Sequence, residues 1–174
     1  KGKPNTSRAL LKLSVEKVNG EKIGRTYDVN INNNFNQEVT LELGNEAELW
    51  SEYRPNLYVI RVRLINGNRK DEKLCTFGLR EFKAKETHFE INGHPIFLRG
   101  TLECCIFPKT GYPSMERSYW LKIFNQCKAH GLNHMRFHSW CPPEVAFNVA
   151  DSLGFYLQVE CGGWTEVGSG QKQD

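Results

Sequence analysis

No apolar run in these 174 residues approaches the roughly 18 to 20 needed to cross a bilayer, so a transmembrane helix is excluded from the expected elements. The six cysteines form no CxxC pair, which removes the common zinc-finger and thioredoxin-like motifs. Gly162-Gly163 completes no GxGxxG fingerprint and there is no GxSxG elbow, so a dinucleotide-binding turn and an α/β-hydrolase nucleophile are both absent. Residues 1–8 are polar and lack the apolar stretch of a secretory signal. A net charge of +3, with the basic residues scattered, makes no stripe for nucleic acid.

What is present falls into two grammars. In the first, apolar residues alternate with polar ones: Leu11, Leu13 and Val15; Tyr27, Val29 and Ile31; Val39, Leu41 and Leu43; Tyr58, Ile60, Val62 and Leu64. Asn19-Gly20, the Asn-rich stretch 32–36, Gly44-Asn45 and Ile65-Asn66-Gly67-Asn68 punctuate them, and residues 74–82 supply a closing strand. Short alternating strands at this spacing predict an all-β immunoglobulin-like sandwich over residues 1–83.

After Lys83 the pattern changes. Thr87, Phe89 and Ile91 alternate, Asn92-Gly93 predicts a type I′ hairpin turn, and Ile96-Phe97-Leu98 reads as a strand buried on both faces. Trp120, Ile123, Phe124 and Cys127 then share one helical face, with Gly131 just past the helix end. Residues 132–137 form the next strand. Pro143 opens a second helix with the stripe Ala146, Val149, Ala150 and Leu153, Gly154 closes it, and residues 155–159 form a third strand. Strand and helix alternating in this way predicts parallel βαβ units over residues 84–174. In a barrel of such units the active-site face lies at the strands' C-terminal ends, which singles out Glu103 with Cys104 and Cys105, then Arg136, His138 and Trp140, then Glu160 and Trp164.

Each has a plainer reading. A charge inside a central strand is unfavourable unless paired, so Arg136 is either a structural ion pair or a guanidinium that fixes a catalytic carboxylate. His134 and His138 stand about 13 Å apart along a strand, too far to share a metal ion. Glu103 and Glu160 end strands separated by one other, which puts them roughly 10 Å apart, more than a retaining carboxylate pair requires. They are candidates for gripping sugar hydroxyls or for salt bridges. Trp140 and Trp164 offer flat faces that could stack on a sugar ring. His138 could hydrogen-bond a polar ligand. The adjacent cysteines Cys104 and Cys105 suit neither an ordinary disulfide nor two ligands on one metal; the six thiols read as free and packed in or near a core, and their even count keeps a disulfide open.

Several segments together resemble glycoside hydrolase family 2, the family of β-galactosidases, β-glucuronidases and β-mannosidases. They are Asn56-Leu57-Tyr58, Phe77-Gly78-Leu79-Arg80-Glu81-Phe82, the stretch 89–100 from Phe89 through Arg99-Gly100, Gly131-Leu132-Asn133-His134-Met135-Arg136, and the stretch 151–160 ending in Glu160. The resemblance implies a sandwich followed by the first three βα units of a (β/α)8 barrel, a TIM barrel, in a retaining, exo-acting and β-galactosidase-like enzyme. It implies that Arg136 orients the nucleophilic glutamate and that Glu160 closes the third strand. Both catalytic glutamates of the family come from later strands, so these residues alone are expected to be inactive. Two departures stand out: Glu103-Cys104-Cys105 where many relatives have a histidine, and His138-Ser139-Trp140 where many have Ser-His-Tyr.

The implied partner is an oligosaccharide or glycoside substrate of the full-length enzyme, with a homo-oligomer open, and with no nucleic acid, membrane or organic cofactor. A cation in the full-length enzyme is left open, and no metal site is expected here. The competing reading is a non-catalytic carbohydrate-binding or structural module.

Overall fold

The computed structural model describes residues 9–31 and 38–160. The chain divides into two compact units, the first made of Lys1–Trp50 and Asn56–Arg80, the second of Ser51–Pro55 and Glu81–Asp174. Ten strands and two helices make the described residues mostly β, consistent with a β-sandwich followed by a short α/β stretch. No helix among them is long and apolar enough to cross a membrane.

In the first unit, β1 (Ala9–Lys17), β2 (Lys22–Ile31), β3 (Tyr58–Asn66) and β4 (Arg69–Phe77) form one antiparallel sheet in the order β2-β1-β3-β4. Asn66 pairs with Arg69 across a two-residue loop whose first residue, Gly67, has φ 60°. That is the glycine position of a type II′ turn, whose twist matches the strands. Val15, Ile23 and Tyr58 are buried on one face, with Leu41, Leu43, Ile60, Phe77 and Leu79 packed against them.

The expected strand at Val39, Leu41 and Leu43 does not join the ladder. Its alternation survives in burial, since residues 39, 41 and 43 are half-buried while 38, 40 and 42 are exposed. The backbone bond goes elsewhere: the Glu42 N–H donates to the Tyr27 hydroxyl at 2.6 Å, so a side chain takes the place of a neighbouring strand. Period two reports which side chains are covered and not which backbone covers them. The expected closing strand over 74–82 is likewise split, into β4 and β5 (Phe82–Lys85). At the break Gly78 lies against the buried Trp50 indole, where a Cβ would stand 3.1 Å from the Trp50 Cβ.

The second unit opens with a meander of β5, β6 (His88–Ile91) and β7 (His94–Ile96). Asn92 and Gly93 have φ 51° and 79°, both positive as a type I′ turn requires. The apolar run Ile96-Phe97-Leu98 is not a buried strand. β7 ends at Ile96, Phe97 is 76% exposed, and the first parallel strand, β8, begins at Gly100 and runs to Glu103. The intervening chain is fixed by Asn133, which is 5% exposed. Its N–H donates to the Arg99 carbonyl, its Oδ1 accepts the Arg99 N–H, and its Nδ2 donates to Phe97 O and to Glu52 Oε2.

α1 (Arg117–Ala129), β9 (His134–Phe137), α2 (Glu144–Leu153) and β10 (Tyr156–Val159) follow, and the strands make a parallel sheet in the order β10-β9-β8. Trp120 and Phe124 from α1, Ala146, Val149 and Ala150 from α2, and Met135, Phe137 and Phe155 form one core, with Phe124 and Phe155 stacked at 4.8 Å. Both helices are followed by a left-handed glycine, Gly131 at φ 76° and Gly154 at φ 68°.

These two glycines are not equivalent. A Cβ on Gly131 meets nothing within 4 Å, whereas one on Gly154 would stand 2.5 Å from the Glu52 carbonyl oxygen. Gly131→Ala is therefore expected to lower stability by the ~1–2 kcal/mol of left-handed backbone alone. Gly154→Ala should lower it clearly more, because backbone must also move. Urea titration of the two variants compares them, and equal losses would mean that the 51–55 segment does not pack at Gly154.

Candidate functional site

The parallel register places Leu102, Arg136 and Gln158 side by side across β8, β9 and β10. Met135 and Phe137 point into the helix-covered core, so alternation sends His134 and Arg136 to the opposite face. Glu160 follows Val159 and shares the parity of Gln158. It therefore falls on the same face as Arg136, one strand over and two residues on.

There the two meet. The Arg136 Nε–H donates to Glu160 Oε1 at 2.5 Å, while the Ser139 N–H donates to Glu160 Oε2 at 2.8 Å. Ser139 has φ 64°, a left-handed conformation uncommon for a serine, and the hydrogen bond from its N–H to the Glu160 carboxylate holds the turn after β9. The Ser139 amide first, and the Arg136 guanidinium second, hold the Glu160 carboxyl below its ordinary pKa, with the nearby His138 adding to the effect. The side chains of Arg136 and Glu160 remain 42% and 27% exposed, so the pair is reachable from solvent. Among the described residues, none bonds the two terminal nitrogens of Arg136.

Glu103 is occupied differently. It lies in register with Phe137, so its parity is opposite to that of Arg136. Its Oε2 accepts the N–H of Cys105 at 2.9 Å, and its carbonyl accepts the N–H of His138 at 2.8 Å. Trp140 packs edge-on against Phe137 and Phe107, at centroid distances of 5.2 and 5.6 Å. Its indole N–H is buried with no hydrogen-bond partner among the described residues. Trp164 lies outside the described residues. Among those described, no group of three or more histidine, cysteine or acidic side chains could hold a metal ion.

The pairing of Arg136 with Glu160 was accessible from sequence through strand parity once β9 and β10 are neighbours. The part played by Ser139 was not, because it acts through its backbone and nothing in a serine's identity marks a positive φ. Burial also pushes the His134 imidazole below its ordinary pKa. A Cβ on Gly100 would come within 2.4 Å of its Nδ1, so the glycine makes room for the ring across the sheet.

The family model of Glycosyl hydrolases family 2 matches residues 1–80. Among curated proteins, a β-galactosidase from Thermoanaerobacterium thermosulfurigenes is 32% identical over 127 residues, which is 72% of this chain and 18% of that enzyme. A putative β-glucuronidase from Formosa agariphila is 30% identical over 125 residues, 67% of this chain and 12% of that protein. In fold, the chain is similar to the crystal structure of a β-glucuronidase from Parabacteroides merdae, with TM-score 0.73 over 86% of this chain and 19% of that one, at 21% identity. The chain belongs to glycosyl hydrolase family 2, and it spans less than a fifth of the length of these two curated relatives.

Because its folded pKa is depressed, Glu160 contributes stability that is present above the ordinary carboxylate pKa and is lost as pH falls through the folded one. The stability gap between the wild-type chain and Glu160→Gln should then be widest near neutrality and should narrow on acidification below about pH 4.5. Urea titrations between pH 3 and 7 measure it. A gap that stays constant across that range would show that the Glu160 charge is not held by Arg136 and Ser139.

Proposed function

We propose that this chain is the part of a retaining, exo-acting, β-galactosidase-like β-glycosidase that contains an immunoglobulin-like sandwich, over residues 1–83, and the first three βα units of a catalytic (β/α)8 barrel, over residues 84–174. Three parallel strands with helices between them, and kinship with a β-galactosidase over 72% of the chain, support this reading. The observation that carries it is the Arg136–Glu160 pair, at the C-terminal ends of the strands on the face opposite α1 and α2.

In such an enzyme a carboxylate attacks the anomeric carbon and a second carboxyl protonates the leaving oxygen and later activates water. The nucleophile must remain ionised and aimed. Glu160 holds Arg136 by Nε, which presents the two remaining nitrogens as a fork suited to another carboxylate. Arg136 thereby orients the nucleophile and favours its charged form. His138, Trp140, Glu160 and Trp164 are the walls of the sugar subsite in this reading, with a terminal β-glycoside as substrate, while Glu103, of opposite parity to Arg136, holds the turn after β8. Both catalytic glutamates belong to later strands by family resemblance, so the isolated chain is inactive.

In the full-length enzyme, Arg136→Ala should lower kcat by about two orders of magnitude, because losing a charge-assisted bond to the nucleophile is worth on the order of 2 to 3 kcal/mol. Its melting temperature should move by only a few degrees. Aryl β-galactoside kinetics and a thermal melt of the same preparation decide it. Near-normal turnover with a large loss of melting temperature would leave Arg136 as a structural partner of Glu160 and remove the catalytic reading.

A further inference from the structure

We propose that Cys104 and Cys105 form a dithiol site that chelates a trivalent arsenical. All five described cysteines are free, and these two are adjacent and exposed. The others stand apart. Cys75 lies on β4 with its Sγ near the Thr76 carbonyl, Cys141 likewise faces the Pro142 carbonyl, and Cys127 sits half-buried in α1, where burial pushes its thiol pKa up. Neither Cys104 nor Cys105 bonds a described residue through its sulfur.

Adjacency alone does not make a chelate. In a strand consecutive side chains point to opposite faces, so two neighbouring thiols would be held apart. Here the ladder ends at Glu103, and Cys105 has φ 57°. Relative to a strand φ of roughly −120°, that is a turn of about 180° about the N–Cα bond. It carries the Cys105 Cβ across the chain, to the side that alternation assigns to Cys104. The conformation is unfavourable for a residue with a Cβ, and here it is pinned: the Cys105 N–H donates to Glu103 Oε2 at 2.9 Å. With Cys104 extended, the two thiols share one side of the turn; both are open to solvent, and the carboxylate that fixes the backbone bonds an amide and not a sulfur.

The ligand class follows from this donor set. Two sulfur donors are too few for a tetrahedral zinc site, and no third histidine, cysteine or acidic group joins them among the described residues. Trivalent arsenic that already carries one organic substituent needs two thiolates and no more. With phenylarsine oxide, two As–S bonds form as the arsenic–oxygen bond breaks. The two thiol protons leave with that oxygen as one molecule of water, and no electron is transferred. The site rests on the turn after β8 and does not depend on the glycosidase reading.

The reduced 174-residue chain is mixed with equimolar phenylarsine oxide and followed by native mass spectrometry, with a challenge by excess glutathione and then by 2,3-dimercaptopropanol. One adduct that survives glutathione and is removed by the dithiol is expected. C104S and C105S should each lose that resistance, while C75S, C141S and C161S should keep it, and thermal melts verify that all are folded. E103A, which frees the turn but keeps both thiols, should release the arsenical at severalfold less glutathione. An adduct that glutathione strips from the wild-type chain, one that persists in C104S or C105S, or equal retention in E103A would each overturn the built site.

Discussion

β9 is hydrogen-bonded along both edges, to β8 on one side and β10 on the other, so its four side chains can only stand above or below the sheet. Met135 and Phe137 take the helix side, where Trp120, Phe124 and Val149 enclose them. His134 and Arg136 are thereby committed to the other face. A guanidinium on a central strand is tolerable only with a partner, and Glu160 at the end of the next strand supplies one. The position of Arg136, the ionisation of Glu160 and the turn at Ser139 all follow from that choice of faces.

The same strand is anchored at its start by Asn133, whose backbone and side chain together bind Arg99, Phe97, Glu52 and, through its carbonyl, the N–H of Tyr156. Every hydrogen-bonding group of this buried amide has a use, which is the condition for burying it at all. The segment Ser51–Pro55, remote in sequence, belongs to this unit through Glu52. The Glu52 carboxylate also lies 3.6 Å from the Arg99 guanidinium, and its carbonyl sits against Gly154. One end of the sheet is thus closed by a polar cluster, while the other end carries the charged pair.

Elements whose signal is a burial pattern were legible in the sequence. Ala146, Val149 and Ala150 of the expected stripe are the buried face of α2, with Leu153 half-buried at its end, and Asn92-Gly93 is the left-handed pair that a type I′ turn needs. The family was legible too, from segments such as Gly131 to Arg136. Less could be read where side-chain covering and backbone pairing come apart. Val39, Leu41 and Leu43 alternate correctly, yet Glu42 between them bonds a tyrosine hydroxyl. Phe97 sits in an apolar run, yet Asn133 draws the chain out of the sheet before β8. At the candidate site Arg136 and Glu160, nameable by type and strand position, lie together, whereas Glu103 falls at the opposite parity. The features that organise them, the left-handed turns at Ser139 and Cys105, depend on backbone amides that no side-chain pattern encodes.

Glu160 holds Arg136 by its Nε–H on the sheet face opposite α1 and α2. Nitrogen-15 NMR of the arginine side chains tests it on the chain itself. The Arg136 Nε–H resonance should be protected from solvent exchange at neutral pH and displaced from the other arginines, and both features should disappear in Glu160→Gln. An Arg136 signal that already exchanges freely in the wild-type chain, or that is unchanged by Glu160→Gln, would contradict the account.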